Sequence, residues 1–186
     1  MSQIDKTNVI LELPSIKAFD SYIEALEEGF YRGIQEVKTP EEIQTIKANP
    51  ELHFKELNDQ TPGEIETPSG EKFQKVPYEN LWLVHHKIFI GEVSFRHRLS
   101  KFLEDFGGHI GYGIRPSYEG QGYATLAMEL VKKRAKTIGI DTLMVSCSPD
   151  NPASQRVIEK VGGVFQDISP NTHGYNQVCQ RFLIET

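Results

Sequence analysis

Ile16, Phe19, Ile23, Leu26 and Phe30 recur at intervals of 3, 4, 3 and 4, the apolar stripe of an amphipathic helix. Gly29 lies near its end, where a left-handed cap is expected. Thr39-Pro40-Glu41-Glu42 predicts a second helix, with Thr39 as cap, Pro40 in the first position and Glu42 completing a capping box. It stops before Asn49-Pro50, because a residue preceding proline is pushed out of helical space. From Asp59 to Lys75 the chain turns polar, with Pro62-Gly63 and Pro68-Ser69-Gly70 as turn signals, and a long loop is predicted.

Strands follow. Leu81–Val84 is a short apolar run, and His85-His86-Lys87 turns it into Ile88–Leu99. There Phe89, Val93, Phe95 and Leu99 share one parity, while Glu92, Ser94, Arg96 and Arg98 share the other. Lys101–Asp105 reads as a charged connection into a strand at His109–Ile114, with Ile110, Tyr112 and Ile114 on one face and His109, Gly111 and Gly113 on the other. A loop over Pro116–Gln121 leads into a helix over Gly122–Ile138, which Gly139 ends. Next come a strand at Leu143–Cys147 and a short helix opened by Asn151-Pro152 and stopped by Gly162-Gly163. Val164–Phe165 and Val178–Ile184 close the chain as strands joined by a loop through Asn171–Tyr175. This order of elements predicts a mixed α/β (α+β-like) fold.

The length of 186 residues suits one domain over residues 1–186, large enough to bury its own core. Cys147 and Cys179 are too few for a disulfide framework and fit a reducing cytoplasm. The first residues carry no leader pattern, and no apolar run approaches the ~20 residues that span a bilayer, so no membrane partner is expected. A formal charge of −6 argues against nucleic acid and is compatible with a cationic substrate. His53, His85, His86 and His173 show no ligand spacing and the cysteines form no Cys-x-x-Cys pair, so no metal is expected.

The chemistry concentrates at Glu119-Gly120-Gln121-Gly122-Tyr123-Ala124-Thr125. A glycine-bearing turn from strand to helix serves either as a plain turn or as an anion cradle, in which unpaired N–H groups and the helix dipole face the ligand. A Walker loop requires Gly-Lys-Ser/Thr, and Tyr123-Ala124 follows Gly122 instead. A dinucleotide fingerprint wants Gly or Ala where Thr125 stands, and its loop should follow the strand without Pro116–Glu119 between.

On these residues the sequence resembles the GNAT superfamily of acetyl-CoA-dependent N-acetyltransferases. The family pattern Gln/Arg-x-x-Gly-x-Gly/Ala is matched at Gly122 and Ala124, with Glu119 in its first position. A second stretch, Asn151-Pro152-Ala153-Ser154 and then Val157-Ile158-Glu159-Lys160-Val161-Gly162, is similar to the family's Asn-x-x-Ser…Glu-Lys-x-Gly helix. The wording looks like the branch near the ribosomal-protein-alanine acetyltransferases and small uncharacterised acetyltransferases. The resemblance implies a central, mostly antiparallel twisted sheet splayed between two parallel strands and flanked by helices. It also implies acetyl-CoA as co-substrate, a primary amine on a small molecule or peptide as acceptor, and direct transfer in a ternary complex. Homodimers are common among such proteins. By position, Ile114 offers a main-chain N–H to the acetyl carbonyl, Glu119, Gly120, Gln121, Gly122, Tyr123, Ala124 and Thr125 hold the pyrophosphate, and Asn151 and Ser154 line the pantetheine arm. Gly111 and Gly113 would let ligands approach the backbone, or mark a bend in the sheet.

His109 is one base candidate, with an ordinary pKa of ~6.5 suited to proton relay; a strand-end histidine bonded to backbone is the other reading. Glu92 is the second candidate, alternatively a carboxylate solvated or paired near Arg96. The tyrosine that the family uses as general acid is replaced by Ile158, so either Tyr175, Tyr112 or water would serve in its place, or no acid is needed because a thiolate is already a tolerable leaving group. Glu119 and Ile158 keep a different class open, a catalytically silent CoA-binding sensor or interaction module.

Overall fold

The computed structural model describes residues 4–33, 36–169, 173–175 and 178–186. The strands are β1 (Ile10–Glu12), β2 (Glu64–Glu66), β3 (Lys72–Gln74), β4 (Tyr78–His85), β5 (Ile88–Arg96), β6 (Ile110–Ile114), β7 (Thr142–Cys147), β8 (Val164–Ser169) and β9 (Cys179–Glu185). The helices are α1 (Phe19–Glu27), α2 (Pro40–Ala48), α3 (Pro50–Leu57), α4 (Lys101–Asp105), α5 (Tyr123–Thr137) and α6 (Pro152–Lys160). One sheet runs β1-β4-β5-β6, β2 pairs with β3, and a third sheet runs β7-β9-β8. The ladders β1–β4, β2–β3, β7–β9 and β8–β9 are antiparallel. The chain packs as two compact units. The first comprises the described residues of Met1–Asp59, Glu79–Ser94 and Tyr112–Ala127, and the second those of Gln60–Tyr78, Phe95–Gly111 and Met128–Thr186.

In the first unit, Phe19, Tyr22, Ile23 and Leu26 of α1 and Ile43 and Ile46 of α2 pack with Trp82, Val84 and Phe89, and Phe54 and Leu57 of α3 close the cluster. The Tyr22 ring stacks on Trp82 at 4.5 Å between centroids. Ile16 was expected on this stripe but is 66% exposed. It lies in a 3-10 turn over Ile16–Ala18 ahead of α1, and three residues per turn carry it out of the α-helical register. The Thr39–Glu42 capping box forms as expected, and α2 ends at Ala48. Asn49 then does double duty, since its side-chain oxygen accepts the Leu52 N–H and starts α3, a helix beyond those predicted. On β5 the expected polar face is not solvated: Ile90, Glu92 and Ser94 are buried together with Phe89, Val93 and Phe95. Neighbouring residues point to opposite faces, so this interior strand is covered on both.

In the second unit, β9 pairs with β7 in register Val145↔Phe182 and with β8 through a shift between Phe165 and Asp167. The predicted loop over Asp59–Lys75 contains the β2–β3 pair, matched at Ile65↔Phe73. Each of these strands carries one apolar residue, too few to reveal a period of two. Lys101–Asp105 is a helix rather than a plain connection, capped by Ser100, and it buries Phe102 and Leu103. Asn171 lies outside the described residues. Among those described, His173 is buried with Nδ1 2.8 Å from Glu71 and Nε2 3.3 Å from Asp105.

Candidate active site

The glycine loop belongs to the first unit. The ladder continues one residue past Ile114, where the Arg115 N–H donates to the Ile90 carbonyl at 2.8 Å. The Arg115 side chain is buried and turns back to α1, donating to Glu28 through Nε at 2.9 Å, to Glu24 at 3.1 Å and to the Ser21 hydroxyl at 2.9 Å. Glu28 also accepts the Ser117 N–H, so one carboxylate holds both the arginine and the 3-10 turn at Pro116–Tyr118. The Arg115 hydrogen bond keeps the Glu28 carboxyl below its ordinary range, against the opposing effect of burial. This brace was not visible in the sequence, because the arginine and glutamate are 87 positions apart.

Beyond the turn, Gly120 and Gly122 adopt φ of 69° and 82°, the left-handed region that glycine enters without strain. A Cβ at Gly120 would meet nothing within 4 Å, and one at Gly122 would meet only the Lys6 ammonium. The Gly122 carbonyl accepts the Leu126 N–H and begins α5. The N–H groups from Gly120 through Thr125 find no protein acceptor among the described residues. The loop thus presents successive donors and the positive end of a 15-residue helix at one open surface, an arrangement suited to an anion. Glu119 and Gln121 are exposed, whereas Tyr123 is buried at the start of α5.

At Gly113, expected either to admit a ligand or to mark a bend, a Cβ would collide with the Tyr31 carbonyl and with Arg32 Cα, so it is the chain's own segment that approaches the backbone there. That segment also determines the surroundings of Glu92. Glu92 Oε1 accepts from Arg32 Nε at 2.6 Å and Oε2 from the Trp82 indole N–H at 3.2 Å. The expected neighbour Arg96 donates instead to the Gly108 carbonyl at 3.0 Å. Arg32 and Glu92 are 60 positions apart, and no local pattern links them.

His109, Asn151, Ser154 and Tyr175 belong to the second unit. The His109 N–H donates to the Met144 carbonyl at 2.8 Å, and the Met144 N–H donates to His109 Nδ1 at 2.9 Å. An imidazole that accepts at Nδ1 carries its proton on Nε2 when neutral. Burial lowers the His109 pKa, so the neutral ring is favoured. Asn151 Oδ1 accepts the Ser154 N–H at 2.9 Å and caps α6. Its side-chain NH2 has no partner among the described residues and stays available to a ligand. Ile158, which stands where the family has tyrosine, is fully buried, and a Cβ on Gly163 would run into it. Tyr175 stacks on Phe106 at 4.6 Å and an interplanar angle of 8°. Burial pushes the Cys147 thiol up to about 11, helped by Cys179, which disfavours a thiolate nucleophile. Among the described residues no cluster of histidine, cysteine or carboxylates could hold a metal ion, and no helix is long and apolar enough to cross a membrane.

The chain is 32% identical over 107 residues to the uncharacterized N-acetyltransferase YnaD of Bacillus subtilis (strain 168), a stretch covering 55% of this chain and 57% of that relative. It therefore spans a little over half the length of that curated relative. The solved structure of RimL, a ribosomal L7/L12 alpha-N-protein acetyltransferase in complex with coenzyme A, is similar with a TM-score of 0.58 at 15% identity, covering 96% of this chain and 94% of that one. The microcin C7 self-immunity acetyltransferase MccE in complex with acetyl-CoA and AMP gives a TM-score of 0.60 at 12% identity, covering 96% and 93%. At these identities the structural likeness establishes the fold. The family model described as acetyltransferase (GNAT) domain matches residues 33–164, most of the chain and all of the glycine loop and the Asn151 helix. The protein is a member of the GNAT acetyltransferase domain family.

Proposed function

We propose that residues 1–186 act as one acetyl-CoA-dependent N-acetyltransferase domain that transfers the acetyl group directly to a primary amine in a ternary complex. The observation that carries this reading is the run of uncommitted N–H groups from Gly120 to Thr125 on left-handed glycines at the start of α5. Acetyl-CoA supplies an activated thioester when bound. The loop residues Glu119, Gly120, Gln121, Gly122, Tyr123, Ala124 and Thr125 hold its diphosphate, largely through main chain. The Ile114 N–H polarises the acetyl carbonyl, and the Asn151 amide and Ser154 contact the pantetheine arm. The amine nitrogen displaces the thiol from the acetyl carbon and gives up one proton.

That proton is assigned to His109 or Glu92, with Tyr175 as the acid that protonates the departing sulfur. Both base candidates are engaged. Protonation of His109 at Nδ1 requires the Met144 bond to break, and Glu92 has one oxygen on Arg32 and the other on Trp82. An α-amine, with an ordinary pKa near 7.7–8.0, needs less help from a base than a lysine amine near 10.4. The same engagement, with Ile158 buried in place of the family tyrosine, supports a second reading, a CoA-binding module without turnover.

A cytoplasmic location accords with the two buried, free cysteines. The acceptor is a small-molecule or peptide amine, and a homodimer is the assembly we expect.

Calorimetric titration with acetyl-CoA, with ATP and NAD as controls, tests the cofactor, and thiol release in the presence of amines tests turnover. Selective binding on the order of micromolar with thiol release is the expected result. Binding without release from any amine establishes the second reading, and no binding overturns both.

A further inference from the structure

The amino-terminal segment carries a cation to the glycine loop. Lys6 lies in a 3-10 turn (Lys6–Asn8) capped by Asp5, whose carboxylate accepts the Thr7 N–H at 2.9 Å, the Thr7 hydroxyl at 2.7 Å and the Asn8 amide at 3.1 Å. Immediately afterwards β1 pairs with β4 at Ile10↔Val84, Leu11↔Leu83 and Glu12↔Trp82, which ties the turn to the sheet. From there the Lys6 ammonium donates to the Gln121 carbonyl at 2.5 Å and stands 5.2 Å from the centre of the Tyr123 ring. It also lies 3.3 Å from the point where a Gly122 side chain would begin. Three consecutive loop residues are thus touched by a side chain 115 positions away. Among the described residues no carboxylate pairs with this ammonium, so its charge is not cancelled.

The loop itself lacks such a charge. Its first position is Glu119, an exposed acid beside donors that would face phosphate oxygens. An ammonium held against Gln121 and Gly122 offsets that acid and can turn a donor to an anion on the loop while keeping its carbonyl contact, because it has three.

We propose that Lys6 is a diphosphate-binding residue of the acetyl-CoA site, supplying from the amino-terminal turn the positive charge that the loop's first position does not. The inference rests on the acetyl-CoA reading above and adds a residue outside the stretch that the family model matches.

Calorimetry with CoA and with 3′-dephospho-CoA on wild type, Lys6→Gln, Lys6→Arg and Lys17→Gln tests it. Lys17 is exposed and removes the same charge elsewhere. Lys6→Gln should weaken both ligands about tenfold, the scale of a hydrogen bond to a charged group. Lys6→Arg should retain most of the affinity, and Lys17→Gln should match wild type. Equal affinities for wild type and Lys6→Gln, in proteins with the same melting temperature, overturn the role of Lys6 and leave the cofactor reading intact. A loss seen with CoA but not with 3′-dephospho-CoA overturns the diphosphate assignment in favour of the 3′-phosphate. A similar loss in Lys17→Gln reduces the effect to net charge and also overturns it. Wild type that binds neither ligand removes the acetyl-CoA reading, and this inference with it.

Discussion

The beginnings of α5 and α6 present the same physical problem and resolve it in opposite ways. Each helix starts with N–H groups that have no partner within the helix. At α6 the chain satisfies its own end, because Asn151 Oδ1 accepts the Ser154 N–H and Pro152 has no N–H to satisfy. At α5 glycines take the place of a capping side chain, and the N–H groups of Gly120–Thr125 remain uncommitted. A closed end contributes stability, whereas an open end leaves donors suited to an anion. The open end is therefore braced from outside, by Arg115 and Glu28 behind the turn and by Lys6 across Gln121 and Gly122.

The largest expected effect comes from filling the open end. Gly122→Trp should weaken acetyl-CoA binding by about a hundredfold or more, because a large side chain would occupy the space over the donors and strain a left-handed residue. Unchanged affinity in a variant with a native circular dichroism spectrum would remove the cradle from this loop. Next comes His109→Ala, which should lower turnover about tenfold while acetyl-CoA affinity holds. That is less than the ~10²–10⁴ of a committed base, since Nδ1 is already engaged. Wild-type rates across the pH range would exclude His109 as the base.

Arg115→Met should preserve the fold yet cost several-fold in acetyl-CoA affinity, since the turn loses its tie to α1. A loss of melting temperature with no change in affinity would show that the brace serves stability alone. At the closed end, Asn151→Ala should cost about 1 kcal/mol of stability, the usual worth of an N-cap, and Asn151→Asp should recover it. If Asn151→Asp recovers stability but not acetyl-CoA affinity, capping and ligand contact separate, because the aspartate has lost the NH2 donors.

The smallest effect is with pH. The His109 pKa is lowered in the folded state, so the unfolded chain binds the proton more readily. Stability is fully present above the ordinary histidine value of ~6.5 and falls as pH drops through the lowered one. Glu28 and Glu71 are also lowered, by Arg115 and His173 respectively, and they add a second loss further into acid as pH falls through their folded values. Denaturant titrations at stepwise lower pH should show monotonic weakening; a rise in stability below neutrality would reverse the sign assigned to these three groups.

What is legible in the sequence depends on nearest neighbours. The spacing of Phe19, Ile23 and Leu26, the Thr39 capping box, the left-handed caps at Gly29 and Gly139, and the Asn151-Pro152 helix start each involve residues within a turn of one another. The β2–β3 pair escaped because its strands expose polar residues around a single apolar position each. The start of α3 escaped because Asn49 ends one helix and caps the next.

The sequence by itself determined the fold family, the position of the glycine loop before α5 and the self-capped start of α6, since periodicity, capping and glycine backbone freedom act over a few residues. Only the tertiary structure decided that Glu92 is held by Arg32 and Trp82, that Gly113 receives the chain's own backbone, and that Arg115 and Lys6 brace the loop. A buried charge must find an opposite charge or a donor wherever the fold brings one, and the partners of Glu92 and Arg115 lie from ten to 94 positions away. Separations of that size carry no local pattern, and only the folded chain closes them.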